Sequence, residues 1–236
     1  SLSVTDPAQD IATDQSPMAI AGTVTDLTIL TVTMTIDGGP GQTLTATGGI
    51  FNSSVTFTTE KTYTIAVTAT DEAGNNSTVT RNILYDLGGP LTIATPAGGP
   101  FSVTQHVILT CDDGGTGSSG CASTQYCLGS GCTPTTDYSG DIIISASTDL
   151  RFFSTDIAGN AESIRTVTFT LNAYALTVNK TGPGSGTVGG GGTYNYGTSH
   201  DITAVASAGS AFTGWTGDCT GTASPLTVLV DKAKTC

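Results

Sequence analysis

Thr70-Asp71-Glu72-Ala73-Gly74-Asn75 returns, little changed, as Thr155-Asp156-Ile157-Ala158-Gly159-Asn160, 85 residues further on. Each copy stands beside an alternating run. Before the first, Tyr63, Ile65, Val67 and Ala69 alternate with Thr62, Thr64, Ala66 and Thr68. After the second, Val167, Phe169 and Leu171 alternate with Thr166, Thr168 and Thr170. A period of two, rich in β-branched residues, is the pattern of a half-buried strand. Asp can hydrogen-bond the backbone ahead of it, and Gly and Asn tolerate positive φ, so each copy reads as a hairpin turn. The chain therefore holds at least two β-domains, each closed near its end by the same turn.

The 236 residues suffice for two or three small domains, and the repeat favours them over one large one. Threonine makes up roughly a fifth of the chain, Gly numbers 31, and charged residues are only 11%. That mixture suits strands and turns and disfavours helix. No window shows sustained apolar residues at helical spacing. The expectation is an all-β protein.

A net charge of −12 with seven Lys and Arg in all argues against nucleic acid, because phosphate binding needs clustered cations. An acidic surface serves solubility and also suits divalent cations. Six Cys without a Cys-x-x-Cys pair, beside two His, read as three disulfides rather than as metal ligands. That places the protein outside the cytoplasm, at the cell surface or in the medium. No apolar run approaches the roughly eighteen residues of a membrane span. No signal peptide starts at Ser1, so the chain is expected to be mature or an excerpt.

In chain order, residues 1–15 are a first edge strand or a linker. Strands are expected over Ile20–Asp26, Leu30–Ile36, Thr43–Thr47, Ser54–Thr58, Thr62–Thr70 and Ser77–Tyr85, about seven in the first unit. Asp86-Leu87-Gly88-Gly89-Pro90 is the natural boundary. The second unit has strands near Leu91–Ala94, Val103–Cys111, Ser123–Cys127, Ile142–Ser147, Leu150–Thr155 and Ser163–Leu171. Its loop CDDGGTGSSGC, Cys111 to Cys121, is too Gly-rich to hold a shape without a staple, and Cys127 and Cys132 flank a loop short enough for a bridge. Pairing Cys111 with Cys121 and Cys127 with Cys132 is preferred among three connectivities. By elimination Cys219 is left for Cys236, or each for another chain. The expected domains are 1–88, 89–172 and 173–236.

Three resemblances fit this division. Around VTATDEAGN, within residues 62–86, the first unit resembles the bacterial Ig-like repeats of secreted surface proteins. Through TQYCLGSGCTPTTDYSGDIIIS and LRFFSTDIAGNAES, residues 90–171 resemble the β-sandwich module at the C-terminus of chitobiase-type hydrolases. Through ALTVNKTGPGSGTV, GTYNYGTSHDITAVASAGSAFTGWTGDC and PLTVLVDKAKTC, the third unit resembles divergent repeats related to the B-repeat of internalins. It departs from them in two ways. Gly189–Gly192 stand where the family has a Cys pair, and the family's final strand would follow Lys234, where this chain stops at Cys236. The third unit then reads as an incomplete repeat, completed by a strand borrowed from another molecule, or as a sequence cut at that point.

Candidate chemistry is sparse. Asp71, Glu72 and Asn75, and Asp156, Asn160 and Glu162, offer oxygen ligands to Ca²⁺, which takes six to eight. The resemblance to Ig-like repeats implies that such loops can hold calcium at a domain junction, where Asp86 would join. The plainer reading is a turn whose Asp and Asn bond only backbone, since neither loop alone supplies enough carboxylates. Asp112 and Asp113, in the Gly-rich loop after Cys111, could join a metal site, but two adjacent acids in a solvated loop are usually just that. His106 is out of phase with Val107 and Leu109 and should face water, and His200 lies at a loop-to-strand boundary. Neither has an evident Ser or Cys partner for a nucleophilic triad. Gly184-Ser185-Gly186-Thr187-Val188-Gly189 matches G-x-G-x-x-G but precedes no helix that could hold a pyrophosphate. Trp215, with Phe212 nearby, can stack on a sugar ring, but the single Trp of a small β-domain is more often its core. Asn52, Asn75, Asn76 and Asn179 begin N-x-Ser/Thr sequons, which Thr-rich chains produce by chance.

The expected function is that of a non-catalytic extracellular structural or adhesive protein, a stalk or filament subunit with end-to-end or strand-exchange contacts between copies. The alternative is a polysaccharide-binding accessory region of a secreted glycoside hydrolase. No cofactor is expected beyond Ca²⁺.

Overall fold

The computed structural model describes residues 1–25, 29–115 and 117–236, and for Ile29 and Leu30 the backbone alone. The end of the expected Ile20–Asp26 strand, the side chain of Leu30, and Thr116 lie outside the described residues. The described residues form strands and turns and no helix.

Three separate clusters of buried side chains divide the chain into tandem β-sandwich modules. Among the described residues the first module has nine strands: β1 (Leu2–Asp6), β2 (Ile11–Thr13), β3 (Met18–Val24), β4 (Ile29–Ile36), β5 (Gln42–Leu44), β6 (Ala46–Thr47), β7 (Ile50–Val55), β8 (Lys61–Asp71) and β9 (Asn76–Tyr85). They form two sheets, β1-β3-β7-β6 and β2-β9-β8-β4-β5. Tyr63, Ile65, Val67 and Ala69 of β8 point into the gap between the sheets, where they meet Ile20, Met34, Phe51 and Ile83. Fully burying side chains of this size contributes about 1.5–3 kcal/mol each. Gly22 is required by this packing, because the ring of Phe51 and the carbonyl of Ser3 occupy the space a Cβ would need. The Tyr63 hydroxyl accepts hydrogen bonds from the N–H groups of Thr58 and Thr59 and donates to the Thr59 carbonyl, pinning the turn before its own strand. Such a tyrosine corner is a feature of immunoglobulin-like sandwiches.

The second module comprises β10 (Leu91–Thr95), β11 (Gly99–Phe101), β12 (Gln105–Asp112), β13 (Cys121–Leu128), β14 (Thr136–Asp137), β15 (Ile142–Ile144), β16 (Thr148–Asp156) and β17 (Arg165–Leu171). Its sheets are β10-β12-β15 and β11-β17-β16-β13-β14. It repeats the topology of the first. In both, the first strand changes sheets, and the crossed segment, β2 or β11, runs parallel to the module's last strand. Leu150, Phe152 and Phe169 fill the core, and the hydroxyls of Thr92, Ser154 and Thr124 form a chain across the sheets.

The third module has β18 (Ala173–Thr177), β19 (Gly186–Gly189), β20 (Gly192–Asn195), β21 (Thr198–Ala206), β22 (Leu226–Val230) and β23 (Lys234–Thr235). The sheets are β20-β18-β23 and β19-β21-β22, around Leu176, Ile202, Trp215, Val228 and Val230.

Several expected strands sit elsewhere. The strand placed at Ser54–Thr58 is Ile50–Val55. Phe57 is buried but leaves the ladder, because the Ser16 hydroxyl takes both its N–H and its carbonyl. Thr43–Thr47 is not one strand, for Gln42–Leu44 pairs with β4 and Ala46–Thr47 with β7 on the other sheet. Gly99–Phe101, to which no strand is assigned by the sequence, is the edge strand β11. The missing last strand of the third module is also corrected. Leu176 and Thr177 pair with Lys234 and Thr235, Cys236 exchanges backbone hydrogen bonds with Thr177 and Asn179, and a Cys219–Cys236 disulfide ties the segment down. The position beside β18 is filled from within the chain.

Candidate functional site

The two copies of the Asp-x-Ala-Gly-Asn turn share one hydrogen-bond pattern. Asp71 N–H donates to the Asn75 carbonyl at 3.0 Å, and Asp156 N–H to that of Asn160 at 3.0 Å. In return the Asn75 N–H and side-chain amide both bond the Asp71 carboxylate at 2.9 Å. The Asn160 N–H and side-chain amide bond that of Asp156 at 2.7 and 2.8 Å. These donors, the Asn75 side chain first, hold the Asp71 carboxyl below the usual carboxylate range.

The surroundings of the two turns differ. Asp71, Glu72 and Asn75 lie at the exposed tip of the β8–β9 hairpin. Ten residues of β9 separate them from Asp86, roughly 30 Å at the rise of a strand. Asp156 instead is 2% exposed, as is Asp86 in the linker. The Asp86 carboxylate accepts from Gly88 N–H at 3.0 Å and Ser119 N–H at 2.7 Å, while its carbonyl accepts from the Asn160 amide at 3.0 Å. The loop bridged by Cys111 and Cys121 thus folds back over the linker and carries Asp113 with it. Asp86, Asp113 and Asp156 each place a carboxylate oxygen within 4.8 Å of the other two. Among the described residues, none of these three is ion-paired with Lys, Arg or His.

Like charges at that separation repel by roughly 3–4 kcal/mol per pair at an effective dielectric of about 20. Peptide N–H groups offset part of this. An oxygen-only set of three carboxylates fits a hard divalent cation, which would remove the rest. Of the expected ligands, the structure brings Asp86 and Asp156 together. Asn160 stands beside them, its amide nitrogen directed to Asp156 and Asp86. Glu162 is used elsewhere: its carboxylate accepts from Ser154 N–H at 2.9 Å and Thr92 N–H at 3.2 Å, joining the two sheets. Asp113 had no spacing signal, because only the folded-back loop brings it to Asp86.

The other residues singled out by sequence take structural places. The disulfides are Cys111–Cys121, Cys127–Cys132 and Cys219–Cys236. His106 is exposed and pairs with Asp141 at 2.5 Å, and His200 stacks on Tyr194 with ring centroids 3.5 Å apart. Gly186–Gly189 of the G-x-G-x-x-G stretch is strand β19. Trp215 is core, 6% exposed, with its indole N–H bonded to the Ala223 carbonyl at 2.9 Å. Phe212 packs edge-on against it at 5.1 Å and faces a cavity of about 320 Å³ at the end of the third module.

Residues 174–235 match the family model described as divergent InlB B-repeat domain, and residues 1–87 match glucodextranase, domain B. Both matches fit a bacterial protein of Ig-like β-sandwich modules. No curated protein matches the chain. Among solved structures, the chain is similar to the fibronectin(III)-like modules of Clostridium thermocellum CbhA, at 12% identity and a TM-score of 0.44, covering 72% of this chain and 93% of that one. It is similar to murine CEACAM1b at 14% identity and a TM-score of 0.36, covering 73% and 98%. Bacteroides ovatus SGBP-B, in complex with a mixed-linkage heptasaccharide, matches at 14% identity and a TM-score of 0.25, covering 96% and 66%.

Proposed function

We propose that the chain is an extracellular structural or adhesive element, a run of β modules that spaces or links partners at a surface and does no catalysis. The observation that carries this reading is how little free chain lies between modules. The first boundary, 88/89, is bracketed by the Asp86 carboxylate bound to Ser119 and the Asp86 carbonyl bound to Asn160. At the second, 172/173, only Asn172 separates β17 from β18. Its N–H bonds the Phe101 carbonyl and its carbonyl accepts from Tyr196, one contact to each side. Junctions tied this way resist bending, as a stalk or a filament subunit requires.

In the same proposal Ca²⁺ sits among Asp86, Asp113 and Asp156 and stiffens the first junction. Copies associate end to end. Strand exchange at β18 has lost its motive, since β23 occupies that edge. The test is electron microscopy of native material together with light scattering of the purified chain. Fibres whose repeat equals three modules in line support a filament subunit. Isolated short rods support a stalk. Compact or freely jointed particles defeat both.

A second reading is a polysaccharide-binding accessory region of a secreted hydrolase. It is favoured by the match of residues 1–87 to a domain of glucodextranase and by the aromatic-walled cavity of the third module. Retention on insoluble polysaccharide is its test.

A further inference from the structure

The charge of the chain is unevenly placed. Residues 1–88 hold nine Asp and Glu against two Lys and Arg, residues 89–172 seven against two, and residues 173–236 three against three. The cavity beside Phe212 lies in the module without net charge. Its walls come from the loop Asn179–Gly186, the end of β21, and the segment Ala211–Thr216. Phe212, half-buried, presents the aromatic wall, with Trp215 fixed behind it. Around it stand hydroxyl, amide and peptide groups, among them Asn179, Ser185 and Thr213. The one charged side chain, Lys180, turns its ammonium to the Gly182 carbonyl at 3.2 Å.

These features select a ligand class. An anion would find a single ammonium, already bonded to a carbonyl, and a cation no carboxylate side chain. A wholly apolar ligand would strand the peptide and hydroxyl groups of the rim, at about 1–3 kcal/mol for each one buried without a partner. A neutral sugar ring has an apolar C–H face for Phe212 and hydroxyls for the rim. A volume of about 320 Å³ lies at the lower end of ligand sites, which span roughly 300–1,000 Å³, and so suits one or two rings rather than a long chain. We propose that the third module binds the end of a neutral oligosaccharide in this cavity, with Phe212 as the stacking face. The inference rests on the polysaccharide-binding reading and gives it a site.

Trp215 is the only tryptophan in the chain, so its emission reports on this cavity alone. The chain of residues 1–236 is titrated with cellohexaose, laminarihexaose, xylohexaose and chitohexaose while Trp215 fluorescence is followed. In parallel, its retention on the corresponding insoluble polysaccharides is measured. A saturable change with at least one of them is expected, with affinity falling at least tenfold in Phe212→Ala. Should that variant unfold, Asn179→Ala and Thr213→Val, both at exposed positions, serve instead, with a several-fold loss expected. Retention that leaves Trp215 emission unchanged and survives these substitutions would overturn the cavity while sparing the polysaccharide-binding reading. Neither retention nor a spectral change with any of the four would overturn both.

Discussion

The side-chain amide of Asn160 donates to the Asp156 carboxylate at 2.8 Å and to the Asp86 carbonyl at 3.0 Å, joining a turn of the second module to the linker from the first. Among the described residues, its counterpart Asn75 bonds only its own turn. Asn160→Ala leaves the buried Asp86 carbonyl and Asp156 carboxylate short of a donor, a loss of about 1–3 kcal/mol. Asn75→Ala should cost well under 1 kcal/mol, since water replaces the lost donor. Urea unfolding of the two variants measures the difference, and equal effects would refute a junction role for Asn160.

Calcium should stabilise the chain through Asp86, Asp113 and Asp156. At free Ca²⁺ one hundred times the dissociation constant the gain is about 2.7 kcal/mol, an upward shift in melting temperature of about 10–20 degrees for a module of this size. Addition of EGTA should reverse it, and Asp113→Asn should abolish it. Asp71→Asn should leave it intact. A melting curve indifferent to calcium removes the cation from the junction.

The Tyr63 hydroxyl serves two N–H groups and one carbonyl of the turn before β8. Tyr63→Phe keeps the ring in the core and removes those bonds, so a loss of about 1–2 kcal/mol is expected. Tyr63→Ala adds a cavity and should cost about 3–5 kcal/mol, the range of other aromatic-to-Ala changes in cores. A similar loss in both variants would place the contribution in the hydroxyl alone.

Much of this architecture is legible because the core strands are written in alternation. Ile65 and Phe169 sit on buried faces with threonines opposite, and a period of two admits no other reading. The failures share a cause. At Phe57 and at Glu162, side chains replace ladder hydrogen bonds, through Ser16 in one case and with Ser154 and Thr92 in the other. Such substitutions join residues far apart in sequence and leave no periodic trace. The acidic cluster was half legible for the same reason. Asp86 and Asp156 belong to a boundary and a repeat, whereas Asp113 reaches them only through the course of a Gly-rich loop.

Acid should unfold the first module by way of its surface carboxylates. Asn82 lowers the pKa of Asp10 through backbone and side-chain hydrogen bonds, Lys61 followed by Thr64 lowers that of Asp37, and Asn75 lowers that of Asp71. A carboxyl whose folded pKa is depressed contributes stability above its unfolded pKa, near 3.9. That contribution is lost as pH falls through the folded value. The melting temperature should therefore be flat between about pH 7 and 5 and decline below about pH 4. Asp37→Asn should flatten part of that decline. Added salt should weaken the Asp37 share most, because Lys61 pairs with it directly, and the Asp10 share less, through the charge of Arg81.

The Cys111–Cys121 disulfide should act on the junction and the Cys127–Cys132 disulfide should not. The first closes the loop whose Ser119 N–H bonds Asp86 and whose Gly120 N–H bonds Asp113. The second staples the turn after β13, where Arg151 reaches the Cys132 carbonyl. Opening either bridge, of ten- or five-residue separation, frees the unfolded chain and so lowers the stability of its own module by about 2–3 kcal/mol. Only the Cys111→Ser/Cys121→Ser pair, however, frees Asp113 and Ser119 from the linker. That pair should lose the calcium response and expose the Asp86–Pro90 linker to limited proteolysis, while Cys127→Ser/Cys132→Ser retains both properties. Equal protection of the linker in the two variants would mean that the loop holds its place over Asp86 without the bond.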